Sequence, residues 1–201
     1  MDEGVKYMKQ GSLSQRKYGL FANLIANPKE RRRINLFLMI TIGLILVEVL
    51  FVYFNRQQLM TQDFRHYKGT FKQFGSIAQI GFYTALSIYP VFLLLKSKQI
   101  IGIKWGTIGL KTGLRFIGKL VRIWHVPIAL LSTGIVFLHV YMAILRGFKL
   151  DFTYISGIVT VLVLLPLMYM GLMRFKRKDR NWHFKLAITF LILFFIHANF
   201  S

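Results

Sequence analysis

Four histidines stand inside otherwise apolar stretches, in two copies of one pattern: Trp124-His125 followed by His139, and Trp182-His183 followed by His197. An imidazole in such surroundings serves as a hydrogen-bonded core group, a proton carrier or a metal ligand. The spacing narrows the choice. The fourteen residues that separate the histidines of each copy, at ~100° each, fall ~40° short of four full helical turns, so both share one helix face about 21 Å apart along its axis. If one further span lies between them, the two helices run in the same direction. His125 then stands level with His183, and His139 with His197, giving one pair near each membrane face.

A polar side chain in hydrocarbon is costly and normally turns inward to meet a partner. A heme iron suits each pair, because it takes an imidazole on both axial positions while its porphyrin fills the interhelical gap with apolar surface. Helical bundles commonly build such sites from facing helices. Two b-type hemes are therefore expected, with His125, His183, His139 and His197 as axial ligands. Zinc is disfavoured: the pairs are too far apart to share an ion, and no carboxylate or cysteine stands near either in the sequence. Seven positions beyond each first histidine come Ser132 and Phe190, a small residue opposite a large one at mid-membrane, placed to separate the two porphyrins with the Phe190 ring between them. Four positions beyond come Ala129 and Ala187, which leave room for a flat macrocycle, although ordinary packing also yields small residues there.

The elements that must position these residues are legible from hydropathy. The chain has 201 residues, 55% of them hydrophobic, with apolar runs at about 34–54, 75–95, 123–145, 154–173 and 183–199. Each is near the length that crosses a ~30 Å hydrocarbon layer at ~1.5 Å per residue. The expected fold is an all-α polytopic bundle of five transmembrane helices, one domain over 34–199 preceded by a basic segment 1–33. The polar residues ahead of the first run argue against a cleaved signal peptide. The absence of cysteine excludes disulfides, thiolate clusters and c-type heme attachment.

A net charge of +20 raises nucleic acid as a partner, but the placement of the charges points to membrane orientation. Of the 27 Lys and Arg residues, 21 fall in the N-terminal segment, the stretch before the third run and the start of the fifth. Such residues accumulate on the cytoplasmic side, so the N-terminus is expected inside and the C-terminus outside, with no nucleic acid bound. The KERRR block ending at Arg33 reads as an anchor to anionic lipid or equally as a docking arm. Lys111, Arg115, Lys119 and Arg122 share a helical face opposite Leu110, Leu114, Ile117 and Val121, so 103–122 reads as an interfacial amphipathic helix. Arg115, Lys119 and Arg122 are candidates for lipid head groups, a heme propionate or a soluble partner. His66 reads as a solvated loop histidine. Glu48 is the one acidic residue in any of the five runs, a candidate proton relay for quinone chemistry or the mate of a basic group.

At the four histidines the chain resembles the ferric-reductase-like transmembrane family of diheme b cytochromes, which includes NADPH oxidases, iron reductases and the membrane heme subunit of the bacterial methionine-sulfoxide reductase system. In that family the third and fifth spans each carry a similar histidine pair, and the likeness covers about 34–199. It departs in two ways: the family core usually has six spans, and the oxidases add a flavin and nicotinamide domain, whereas no Gly-x-Gly-x-x-Gly fingerprint occurs here. The resemblance implies transmembrane electron transfer by a subunit of an oxidoreductase in the cell membrane. Its donor would be a separate flavoprotein, a membrane quinol, or a flavin held at the inner face, and its acceptor oxygen, ferric iron, quinone or an extracytoplasmic flavoprotein. Two other readings stay open: the cytochrome b anchor of a larger dehydrogenase exchanging electrons with quinone, and a non-redox transporter or assembly subunit that uses histidine for metal or protons.

Overall fold

The computed structural model describes residues 25–98, 104–105, 108–173 and 180–200. The basic residues of 1–24 and 174–179, on which part of the charge reading rests, lie outside them. In chain order the elements are α1 (Pro28–Phe54), α2 (Arg56–Thr61), α3 (Phe64–Leu86), α4 (Ile88–Lys96), β1 (Lys104–Trp105), β2 (Ile108–Gly109), α5 (Leu110–Leu145), α6 (Phe152–Met173) and α7 (Arg180–Phe200). Apart from one two-residue antiparallel ladder between β1 and β2, the described structure is helical. Five helical stretches are long and apolar enough to cross a membrane: Pro28–Phe54, Phe64–Lys96, Leu110–Leu145, Phe152–Met173 and Asn181–Phe200. The chain is an integral membrane protein of the all-helical class.

Helix ends differ from the hydropathy bounds where capping chemistry extends them. α1 begins at Pro28, six residues ahead of the apolar run, because Asn27 caps it by accepting from the Lys29 amide at 3.0 Å and proline suits the first helical position. The end of the basic segment is thus the first turns of a helix. The polar stretch expected as a loop after the first span is also largely helical. Asp63 accepts from the amides of Arg65 and His66 at 2.9 and 3.4 Å and so starts α3 well before residue 75; His66 is exposed on its first turn. α3 stops at Leu86 because Pro90 has no amide to offer that carbonyl and its ring crowds it, so α4 begins as a new helix after Ser87.

The segment expected as a separate interfacial helix over 103–122 is, from Leu110 onward, the start of α5, which runs unbroken to Leu145. Pro127 lies inside it and leaves the Ile123 carbonyl without its helical donor. The Arg33 guanidinium, reaching across from α1, donates to that carbonyl at 3.2 Å. Proline and arginine are therefore complementary parts of one contact. α5 ends at Leu145, and just beyond its cap stands Gly147, whose φ of +108° suits a residue without a Cβ.

Packing divides the bundle into two halves. α1, α3 and α4 pack on α5, while α6 packs on α7; α5 and α7 form no comparable interface. One cluster joins α1, α2, α3 and α5 through Val52, Leu59, Tyr67, Leu138 and Met142. There the Tyr67 hydroxyl donates to the Met142 carbonyl, and Arg146 lies 4.4 Å above the Tyr67 ring while donating to the carbonyls of Met60 and Gln62. A second cluster crosses the seam between the halves, with Ala78 and Phe82 of α3 against Leu164 and Leu167 of α6 and Ala187, Phe190 and Phe194 of α7.

Candidate functional site

The four histidines meet across that seam. His125 of α5 faces His183 of α7 with ring centroids 6.4 Å apart, and His139 faces His197 at 6.3 Å. α5 and α7 therefore bring together the pairs that their equal spacing predicts. Each pair sits in a cavity: about 290 Å³ around His125 and His183, and about 420 Å³ around His139 and His197. Cofactor pockets commonly fall in the range ~300–1,000 Å³, so the two lie at its lower end. The lack of close packing between α5 and α7 is what leaves this space.

Backbone groups of α3 orient the α5 rings. Nδ1 of His125 lies 2.8 Å from the Ala85 carbonyl oxygen, and Nδ1 of His139 lies 2.7 Å from that of Phe71. A carbonyl only accepts, so in the neutral ring Nδ1 carries the proton and Nε2 the lone pair. Nδ1 of His197 is 3.0 Å from Ser156 Oγ. These are the arrangements by which ligating histidines are usually held, with the second ring nitrogen bonded to protein. His183 is 7% exposed.

Three glycines make room for the rings. A Cβ built on Gly75 would lie 2.9 Å from His139 Nδ1, one on Gly157 3.0 Å from His197 Cε1, and one on Gly171 3.3 Å from His183 Cε1. None of the three stands out in the sequence. Their only sequence signal is glycine inside apolar helices, which acquires its meaning once the facing helix is known.

The other residues singled out in sequence distribute unevenly. Ala129 and Ala187 both line the His125–His183 cavity. Phe190, 2% exposed, lines both cavities and so forms part of the wall between them, as its mid-span position predicts. Its partners in that wall are Phe82 and Leu164, which sequence reasoning did not find; the Phe82 and Phe190 rings meet edge-on at 5.2 Å. Ser132 is not opposite Phe190 in the wall. It is buried against Gly81 of α3, and its hydroxyl donates back to the Ile128 carbonyl at 2.8 Å, because two small residues let α3 and α5 approach closely there. Arg115, Lys119 and Arg122 are exposed on the first turns of α5 and line neither cavity. Glu48 is 6% exposed on the buried stripe of α1 with Ile34, Thr41 and Val52, and it too lines neither cavity.

No family model, curated protein or solved structure matches the chain.

Proposed function

We propose that this protein is the heme-bearing membrane subunit of an electron-transfer system, with one b-type heme held by His125 and His183 and a second by His139 and His197. The observation that carries the reading is the separation of the rings. Two imidazoles that bind one metal from opposite sides through Nε2, at about 2.0–2.1 Å per bond and with about 1.1 Å from nitrogen to ring centre, have centroids roughly 6.3 Å apart. The observed values are 6.4 and 6.3 Å. Each site brings together two imidazoles, and among the described residues no cluster of three or more His, Cys, Asp or Glu side chains occurs. That donor set fits a metal whose four remaining positions a macrocycle fills, and it falls short of the four ligands of a structural zinc site.

Heme, when bound, supplies a one-electron carrier at each of two depths. The chain's own contribution is to hold and separate the carriers. Ala85 and Phe71 carbonyls fix the proton on Nδ1 of the α5 histidines, Gly75, Gly157 and Gly171 admit the rings, and Phe82, Leu164 and Phe190 keep an apolar wall between the cavities. Charge supports the orientation. Lys111, Arg115, Lys119 and Arg122 open α5 and Lys185 stands early in α7, so the His125–His183 end is the cytoplasmic one. The N-terminus is then inside and the C-terminus outside, and electrons enter at the His125–His183 site from a separate flavoprotein or a membrane quinol.

The test is heme content and the reduced-minus-oxidised spectrum of the purified protein and of the four single His→Ala variants. About two b-type hemes per chain are expected in the parent and about one in each variant, because each iron loses one axial ligand. His125→Ala and His183→Ala should abolish the same spectral component, and His139→Ala and His197→Ala the other. A folded, colourless parent sinks the heme reading; a His125→Ala protein with two normal hemes sinks the pairing.

A further inference from the structure

The two cavities differ in what they offer besides imidazole. Along α3 the larger one is lined by Lys68, Lys72, Ser76 and Gln79, which recur at four, four and three residues and so form one polar ladder on a single helix face. Lys149, from the connection between α5 and α6, joins the same wall with its ammonium 5.3 Å from the centre of the Phe64 ring. Lys72 directly follows Phe71, whose carbonyl lies 2.7 Å from His139 Nδ1. The one carboxylate on this wall, Asp151, accepts from the Tyr154 amide at 2.9 Å near the start of α6. Three ammonium groups against one carboxylate leave the wall cationic. Among the described residues the smaller cavity has no lysine or arginine in its lining; beyond its two histidines, the polar side chains there are those of Tyr89 and Tyr169.

Cations beside an apolar cavity favour an occupant that brings its own negative charge. A b-type heme does so on one edge only, where its two propionate carboxylates stand, while the rest of the ring is apolar. We propose that the two sites are inequivalent: Lys68, Lys72 and Lys149 receive the carboxylate edge of the heme held by His139 and His197, whereas the described residues around the His125–His183 site offer its heme ligation and apolar packing. The proposal rests on the heme reading above and deepens it. One consequence is orientational, since the ring at the larger site has its acidic edge turned toward α3 and the α5–α6 connection. Another is energetic. Positive charge near the iron favours the ferrous state, which carries one positive charge fewer than the ferric, so these lysines raise the potential of that heme.

The full-length protein, titrated optically through reduction and reoxidation, tests this. Lys→Met at positions 68, 72 and 149, singly and together, should lower one of the two midpoint potentials, increasingly as substitutions accumulate, and leave the other in place. The component that moves should be the one that His139→Ala removes, and Lys72→Arg should retain the parental value. A parent with two hemes whose midpoints ignore the triple substitution, or shift equally, overturns the inequivalence alone. A parent that binds no heme overturns the heme reading and this proposal with it.

Discussion

Alanine at Gly75 would place a methyl group 2.9 Å from Nδ1 and 3.0 Å from Cε1 of His139, where ordinary van der Waals contact begins at 3.4 Å. The ring must retreat by about 0.5 Å, which exceeds the ~0.2 Å within which metal–ligand distances are held, and the 2.7 Å contact between Nδ1 and the Phe71 carbonyl is disturbed with it. Gly157→Ala asks nearly as much of His197, since its Cβ would lie 3.0 Å from Cε1. Gly171→Ala asks little of His183, because the nearest contact is 3.3 Å. Disturbing the groups that orient a ligand typically costs ~10–100-fold in affinity, or ~1.4–2.7 kcal/mol. The backbone effect has the opposite sign, as alanine favours a helix over glycine by up to about 1 kcal/mol. Heme titration of the apoprotein, alongside thermal unfolding followed by circular dichroism, separates the two. We expect Gly75→Ala and Gly157→Ala to lose about 10-fold or more in affinity at one site without loss of helix, and Gly171→Ala to bind both hemes nearly as the parent does. Parental binding by Gly75→Ala, or an equal loss in Gly171→Ala, would refute the steric reasoning.

Further outcomes follow from packing. Gly81→Ala should destabilise the protein by about 1–3 kcal/mol, because its methyl would overlap Ser132 Oγ, and Ser132→Ala should recover much of the loss; unfolding of the single and double variants in detergent reads the coupling. Arg33→Ala should cost about 1–2 kcal/mol in the parent and clearly less in a Pro127→Ala background, where a restored amide satisfies the Ile123 carbonyl that Arg33 now serves; equal cost in both backgrounds would show the two to be independent. Glu48 has a buried carboxylate oxygen without a hydrogen bond among the described residues, so Glu48→Leu should raise stability by about 1–3 kcal/mol. Because Glu48 lines neither cavity, Glu48→Gln is expected to leave the heme spectrum and any quinol-linked turnover unchanged; slowed turnover with an intact spectrum would support the proton-relay reading.

Five apolar helices and the matching of the histidines are legible in the order of residues. A spacing of fourteen residues is almost a whole number of helical turns, and two helices separated by one span are parallel, so the levels of His125 with His183 and of His139 with His197 follow from periodicity alone. The wall position of Phe190 and the cavity-lining positions of Ala129 and Ala187 follow from the same arithmetic. Helix ends were less legible, although the Asn27-Pro28 start and the Asp63 cap are written in residue types that favour those positions. Whatever depends on a neighbour remote in sequence emerges only when the helices pack. Ser132 shares its helix face with the histidines, yet the close approach of α3 at Gly81 takes it out of the seam. The carbonyls of Phe71 and Ala85, the wall residues Phe82 and Leu164, and the glycines at 75, 157 and 171 carry no local mark of their roles. Helical periodicity states which way a side chain points around its own axis, but the choice of neighbouring helix, its distance and its register come from how whole faces pack, and no single segment contains that information.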